Sequence, residues 1–184
     1  NSVQTFQLYN NDSGAAKDFT AQSDQTFSTD TDRWGASSAV YTDPTNNNTY
    51  LYVAGGCTSP TDCTTASTNV QKAQISASDG TVGSWSDTSI SALPQARAWG
   101  ELVKVGSSLY YMGGQDSGGT IQSTVYYANP DSSGNIASWT QAAGGIGDTN
   151  AQAAQARTRF GAAVWNDRIY VVGGLNGSST TTST

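Results

Sequence analysis

The 184-residue chain has no histidine, a single glutamate (Glu101), one methionine (Met112) and only three lysines, Lys17, Lys72 and Lys104. Each shortage removes a class of chemistry. Without histidine, a Ser-His-Asp or Cys-His nucleophilic arrangement cannot be assembled from these residues. Zinc and copper centres lose their usual imidazole ligands as well. The net charge is −6 with no basic cluster, which argues against nucleic acid and against insertion into or binding of an anionic membrane. No apolar stretch approaches the ~20 residues that a membrane-crossing helix needs. An initiator methionine and a signal peptide are also missing, so the expectation is a mature or excised piece of a longer product.

What fills the chain instead is Ser, Thr, Asn, Gly and Gln, with 13 aspartates against the one glutamate. Most of these residues compete with helix backbone hydrogen bonds or favour turns and strand ends, which points to an all-β chain. An aromatic–glycine pair opens an apolar run three times, and each run closes in Gly-Gly. The stretches run from Arg33-Trp34-Gly35 to Gly55-Gly56, from Arg97-Ala98-Trp99-Gly100 to Gly113-Gly114, and from Arg159-Phe160-Gly161 to Gly173-Gly174. The second glycines fall at 56, 114 and 174, a period of 58 and then 60 residues. Such a period marks a stacked or radial repeat.

The middle repeat reads most clearly. Leu102-Val103-Lys104-Val105, a Gly106-Ser107-Ser108 turn and Leu109-Tyr110-Tyr111-Met112 form a hairpin pattern. Val125-Tyr126-Tyr127-Ala128 supplies a third strand, matched by Val70-Gln71-Lys72-Ala73 in the first repeat. Ser138-Trp139 and Ser84-Trp85 then begin a fourth. Four antiparallel strands per repeat describe one propeller blade.

The ordered set of Arg-aromatic-Gly, apolar strand, Tyr-containing strand, Gly-Gly, Val-Tyr-Tyr strand and downstream Trp resembles the kelch repeat of β-propellers, including the central domain of galactose-oxidase-like proteins. The resemblance covers nearly the whole chain. It implies kelch-like blades of four antiparallel strands, about three blades' worth, in an incomplete ring. Residues 1–32 would supply the outer strands of a split blade, 33–96 and 97–156 one blade each, and 157–184 the inner strands of the split blade. At the amino end, Val3-Gln4-Thr5-Phe6-Gln7 repeats the pattern of Val70-Gln71-Lys72-Ala73-Gln74, with Phe19 standing in for the fourth-strand Trp. Closed propellers typically need four to eight blades. The expected settings are therefore a window from a larger propeller, two chains pairing into a six-bladed ring, or terminal half-blades joining chains head to tail.

Candidate sites follow from the repeat. In kelch-like propellers the loops on one face form the binding surface. Arg33, Trp34, Arg97, Trp99, Arg159 and Phe160, with Arg157 beside them, recur at the entrance of each first strand and are the candidate ligand-binding ring. The competing reading is architectural: Arg bonds neighbouring carbonyls and the aromatics pack between blades. Trp85 and Trp139 read as packing between blades rather than as sugar platforms.

Cys57 and Cys63 lie in the loop after the first Gly-Gly and read as a small disulfide, which implies an oxidising compartment and an extracellular or cell-surface location. Sequons at Asn11, Asn47 and Asn176 would accept glycans in a eukaryotic source. The Asp-rich loops 24–32, 43–48 and 131–135 offer oxygen ligands to calcium but lack EF-hand spacing, so turn chemistry is the default and no cofactor is expected.

The function expected first is a non-catalytic extracellular module recognising protein or glycan through propeller loops. A structural subunit of an extracellular filament or oligomer, joined by split-blade completion, is the second. A sugar-active mutarotase-like or epimerase-like propeller enzyme, working with Glu101 or arginine, is the third. The His ligands of kelch-like copper oxidases are absent.

Overall fold

The computed structural model describes residues 26–29, 33–59, 63–147 and 155–176. Among them there is no helix, and nine strands fall into three antiparallel sheets. The first sheet holds β1 (Ser37–Thr42), β2 (Thr49–Ala54) and β3 (Val70–Ile75). The second holds β4 (Glu101–Val105), β5 (Ser108–Met112), β6 (Thr124–Ala128) and β7 (Thr140–Gly145). The third holds β8 (Gly161–Trp165) and β9 (Arg168–Val172). In every sheet spatial order follows chain order, so each is a simple up-and-down meander.

Local chemistry accounts for the hairpins. The strands are rich in Val, Tyr, Leu and Ala alternating between two faces, the pattern of a sheet covered on both sides. Asn166 and Asp167 both adopt left-handed conformations between β8 and β9, as a two-residue type I′ turn requires. The longer β1–β2 loop is closed by Asp43, whose carboxylate accepts from the Thr45 and Asn46 amides at 2.9 and 3.1 Å. The first sheet departs from the expected four strands. Beside β3 only isolated bridges form, Ile75 to Val82 and Lys72 to Ser86, with Trp85 between them. In the second sheet β7 begins directly after Trp139, where the fourth strand was expected. The amino-terminal strand at 3–7 and the Phe19 substitution lie outside the described residues.

The three sheets pack face to face through their first strands, β1 against β4 and β4 against β8. The main core is the seam between the first two sheets: Tyr41, Tyr50, Tyr52, Leu102, Leu109 and Tyr111, with Trp139 at its margin. The Trp139 indole donates to the Ser91 carbonyl at 2.9 Å, which ties the second sheet to the end of the first repeat. On the far side of the first sheet, Val53, Ala73, Val82 and Trp85 form a second cluster capped by Phe27.

Candidate functional site

Hairpin register defines which residues are equivalent. Ser37 pairs with Ala54, Glu101 with Met112 and Gly161 with Val172, in each case the residue just before the Gly-Gly pair. Counting back, Arg33, Arg97 and Arg157 occupy one position, and Gly35, Trp99 and Arg159 another. Arg159 is therefore not the counterpart of Arg33. The aromatic slides by one residue per repeat, from Trp34 to Trp99 to Phe160, so the three aromatics do not form a ring.

The three equivalent arginines are buried. Arg33 donates to the Asn69 carbonyl and side chain at 3.2 and 2.6 Å. Arg97, 1% exposed, donates to the Ala96 carbonyl, the Gln95 side chain and the Thr124 hydroxyl. Arg157 donates to the Gly173 carbonyl at 3.1 Å and to Gln155. Burial lowers the Arg97 pKa from its ordinary value, an effect opposed by the nearby Tyr126, Tyr111 and Asp116. The backbone at these positions also clips the sheets together. The Gly56 amide donates to the Arg97 carbonyl and the Gly114 amide to the Arg157 carbonyl, both at 2.8 Å.

The next equivalent position is strained and lies closer to the surface. Gly35, Trp99 and Arg159 have φ of 63°, 53° and 56°, and a backbone ladder links them. The Trp99 amide donates to the Gly35 carbonyl at 2.7 Å, and the Arg159 amide to the Trp99 carbonyl at 2.9 Å. Left-handed backbone at a non-glycine residue costs on the order of 1 kcal/mol and persists where surrounding bonds enforce it. Here it turns the side chains outward into one strip. Trp34 and Trp99 meet edge to face at 5.1 Å, and the Arg159 guanidinium lies 4.3 Å from the Trp99 ring centre. Trp34 is 39% exposed and Arg159 is exposed, whereas Phe160 is buried against Met112 and Ile146. Of the six candidate residues, the fold thus brings Trp34, Trp99 and Arg159 together at the surface and puts Arg33, Arg97 and Phe160 inside.

The strip has a built edge. A disulfide joins Cys57 and Cys63. Cys57 and Trp34 exchange backbone bonds, and the Trp34 indole donates to the Ser59 carbonyl at 2.7 Å. The Ala66 amide reaches the Ser117 hydroxyl of the next repeat at 3.0 Å. The long β2–β3 and β5–β6 loops therefore flank the strip on one face of the molecule, while the two-residue turns lie on the other. Glu101 sits at the start of β4, half-buried, and accepts from the Ser37 hydroxyl at 3.0 Å; burial raises its pKa and the hydrogen bond opposes that.

Among the described residues no group of three or more His, Cys, Asp or Glu could hold a metal ion, and no helix is long and apolar enough to cross a membrane. Asp131 accepts from the Ser133 and Asn135 amides, both at 2.8 Å, as turn chemistry predicts. Loop 24–32 lies mostly outside the described residues. Gln95 and Gln155, which orient the buried arginines, were missed in the sequence although Gln-Ala-Arg recurs at 95–97 and 155–157.

A Kelch motif family model matches residues 156–184. No curated protein matches the sequence. Among solved structures, YjhT is similar with a TM-score of 0.50 at 20% identity, over 77% of this chain. The chain spans only 34% of that structure's length, so the likeness speaks for the fold alone. Repeating Gly-Gly hairpins, chain-order meanders stacked through their first strands, the matched motif and the structural likeness agree: the described sheets are blades of a kelch-type β-propeller.

Proposed function

We propose that the chain is a non-catalytic binding module, extracellular or surface-displayed, that recognises a protein or glycan through the loops around Trp34, Trp99 and Arg159. One observation carries this reading. The backbone is held left-handed at Trp99 and Arg159, a cost that serves to present an indole pair and a guanidinium on the long-loop face. Indole faces stack on sugar rings and on apolar side chains, and a guanidinium adds bidentate contact to carboxylates and hydroxyls. The disulfide beside Trp34 suits an oxidising compartment.

The test is a glycan array and a surface-protein capture screen run with the intact chain, followed by Trp34→Ala and Arg159→Ala. Each substitution is expected to weaken binding at least ~10-fold, on the order expected for a contact of this kind. Unchanged binding in both variants, or no binder in either screen, removes this reading. The sugar-converting alternative rests on Glu101 and has its own test, since Glu101→Ala must abolish any such activity.

A further inference from the structure

The residue before the strained position forms the same backbone bridge in every repeat. Trp34 pairs with Cys57, Ala98 with Gln115 and Thr158 with Leu175, each partner following directly on its Gly-Gly pair. The amide–carbonyl bonds of the three bridges measure between 2.7 and 3.1 Å. The bridge itself therefore needs no crosslink. Where it carries the exposed indole of Trp34, its partner is a cysteine held in a disulfide. In the second repeat the bridging residue is Ala98, with no ring to place, and Asp116 closes the matching loop by hydrogen bonds.

The disulfide acts on both tryptophans of the strip. Ser59 lies between the two cysteines in the chain, and its carbonyl accepts the Trp34 indole N–H at 2.7 Å. Cys57 and Cys63 are buried in a cluster with Ala66 and Ala98, and Trp99 packs against that cluster. The Trp99 ring also lies against the Gly35 backbone, where an added Cβ would stand 2.6 Å from the indole nitrogen. Trp34 meets Trp99 edge to face, and Arg159 lies over Trp99. An exposed indole keeps one orientation only where bonds and neighbours hold it against its rotamer entropy. A crosslink beside the Ser59 carbonyl and beneath Trp99 holds the pair before any ligand arrives, which spares the cost of ordering it on binding.

The geometry points to Cys57 and Cys63 as positioning residues of the strip: their disulfide fixes Trp34 and Trp99 in the arrangement that meets the ligand. This inference rests on the strip being the binding surface proposed above, but its first test needs no ligand.

The measurement is the exchange of each indole N–H with water, by NMR on the intact chain. In Cys57→Ala/Cys63→Ala, exchange at Trp34 should accelerate about 10-fold, the loss of one hydrogen bond to a carbonyl. The Trp139 indole, bonded to the Ser91 carbonyl, should keep its rate and so reports that the variant is folded. Treating the wild-type chain with a dithiol gives the same readout without a substitution. There the S–S bond breaks, two thiols form and the dithiol leaves as its own disulfide. Trp34 exchange that is unchanged in both experiments overturns the inference, even where the glycan and protein screens find a ligand. Equal acceleration at Trp34 and Trp139 in a chain that still unfolds cooperatively also overturns it, because the crosslink would then support all the blades alike. Acceleration confined to Trp34 supports it, even where the screens find no ligand. Any ligand they do find should bind the cysteine variant about 10-fold more weakly, from the ordering of two freed side chains; unchanged affinity overturns the inference.

Discussion

Among the described residues, the seam between the first and second blades buries Tyr41, Tyr50, Tyr52, Leu102, Leu109 and Tyr111, whereas the seam between the second and third buries Met112, Ile146 and Phe160. Both are closed by the same backbone clip, a Gly-Gly amide donating at 2.8 Å to the carbonyl of the next blade's arginine. The difference therefore arises in the side chains that the strands turn into each seam rather than in the clip. Two tyrosine hydroxyls of the first seam are paired: that of Tyr52 donates to the Gly134 carbonyl and that of Tyr126 donates to the Gln95 side chain. Burial raises the pKa of Tyr52 further from neutrality, so its hydroxyl stays a donor.

Glycine substitutions test this division most severely. A Cβ at Gly55 would stand 2.5 Å from the Arg97 carbonyl oxygen, and one at Gly113 2.5 Å from that of Arg157. Both obstacles are backbone and cannot swing aside. At Gly173 the backbone is equally left-handed, with φ of 69°, but no described atom lies within 4 Å of an added Cβ. Gly55→Ala and Gly113→Ala should each cost about 4 kcal/mol, strain plus a broken clip, and Gly173→Ala about 1 kcal/mol, strain alone. Urea unfolding of the three variants checks this; equal losses would show that the clip adds nothing beyond the local backbone strain.

Core truncation should give a smaller but parallel contrast. Leu109 is fully buried in the first seam, and Leu109→Ala should cost about 3 kcal/mol in the same unfolding assay. Ile169 is only partly buried beside a cavity, so Ile169→Ala should cost about 1 kcal/mol in the isolated chain. A larger loss at Ile169 would mean that something covers β9 in solution.

The loops differ between blades in a similar way. In the first blade the loop after Gly-Gly is closed by Cys57–Cys63; in the second the matching loop is closed by Asp116, which accepts from the Gly118 and Thr120 amides, both at 2.9 Å. Replacing both cysteines with serine should cost about 2 kcal/mol, the loop entropy of a short crosslink, read as a lowered thermal midpoint that reductant no longer changes. Asp116→Ala should cost about 1 kcal/mol.

Much of this comparison was legible in the residues. The Gly-Gly pairs, the β-branched and aromatic strands and the Val-Tyr-Tyr strand identified blades, because period-two burial and obligatory left-handed glycines leave a direct mark on sequence. The site was legible only in part. Aligning the aromatic–glycine pairs put Arg159 with Arg33 and Arg97, but hairpin pairing puts Arg157 there. A β-strand exchanges its faces at every residue, so a slip of one or two positions separates an exposed Trp34 from a buried Phe160. Counting back from Gly-Gly through the hairpin would have found the register, and the repeated Gln-Ala-Arg would have confirmed it. The Trp99–Arg159 stack was not legible at all, because it depends on left-handed backbone at two non-glycine residues.

The smallest predicted effect concerns the position where each first strand begins, occupied by Ser37, Glu101 and Gly161 in turn. In the first seam the Ser37 hydroxyl donates to Glu101 at 3.0 Å and accepts from the Leu102 amide at 2.8 Å; in the second seam Glu101 takes the place of Ser37 and Gly161 that of Glu101, so no such side-chain pair can form. Burial raises the Glu101 pKa above the ordinary glutamate value of 4.5, and the Ser37 bond holds it partly down. A carboxyl whose pKa is higher folded than unfolded binds more protons in the native state, so its contribution is most favourable below pH 4.5 and is lost as pH rises through the folded value. Glu101→Gln should therefore raise the unfolding midpoint at neutral pH and leave it nearly unchanged in acid, the other carboxylates cancelling in the difference between variant and wild type. Ser37→Ala should act in the opposite sense, costing about 1 kcal/mol and moving the Glu101 titration to still higher pH. Direct NMR titration of the Glu101 carboxyl separates the two: a titration at or below the ordinary value would show that this carboxylate is solvated and that the first seam opens at its inner end.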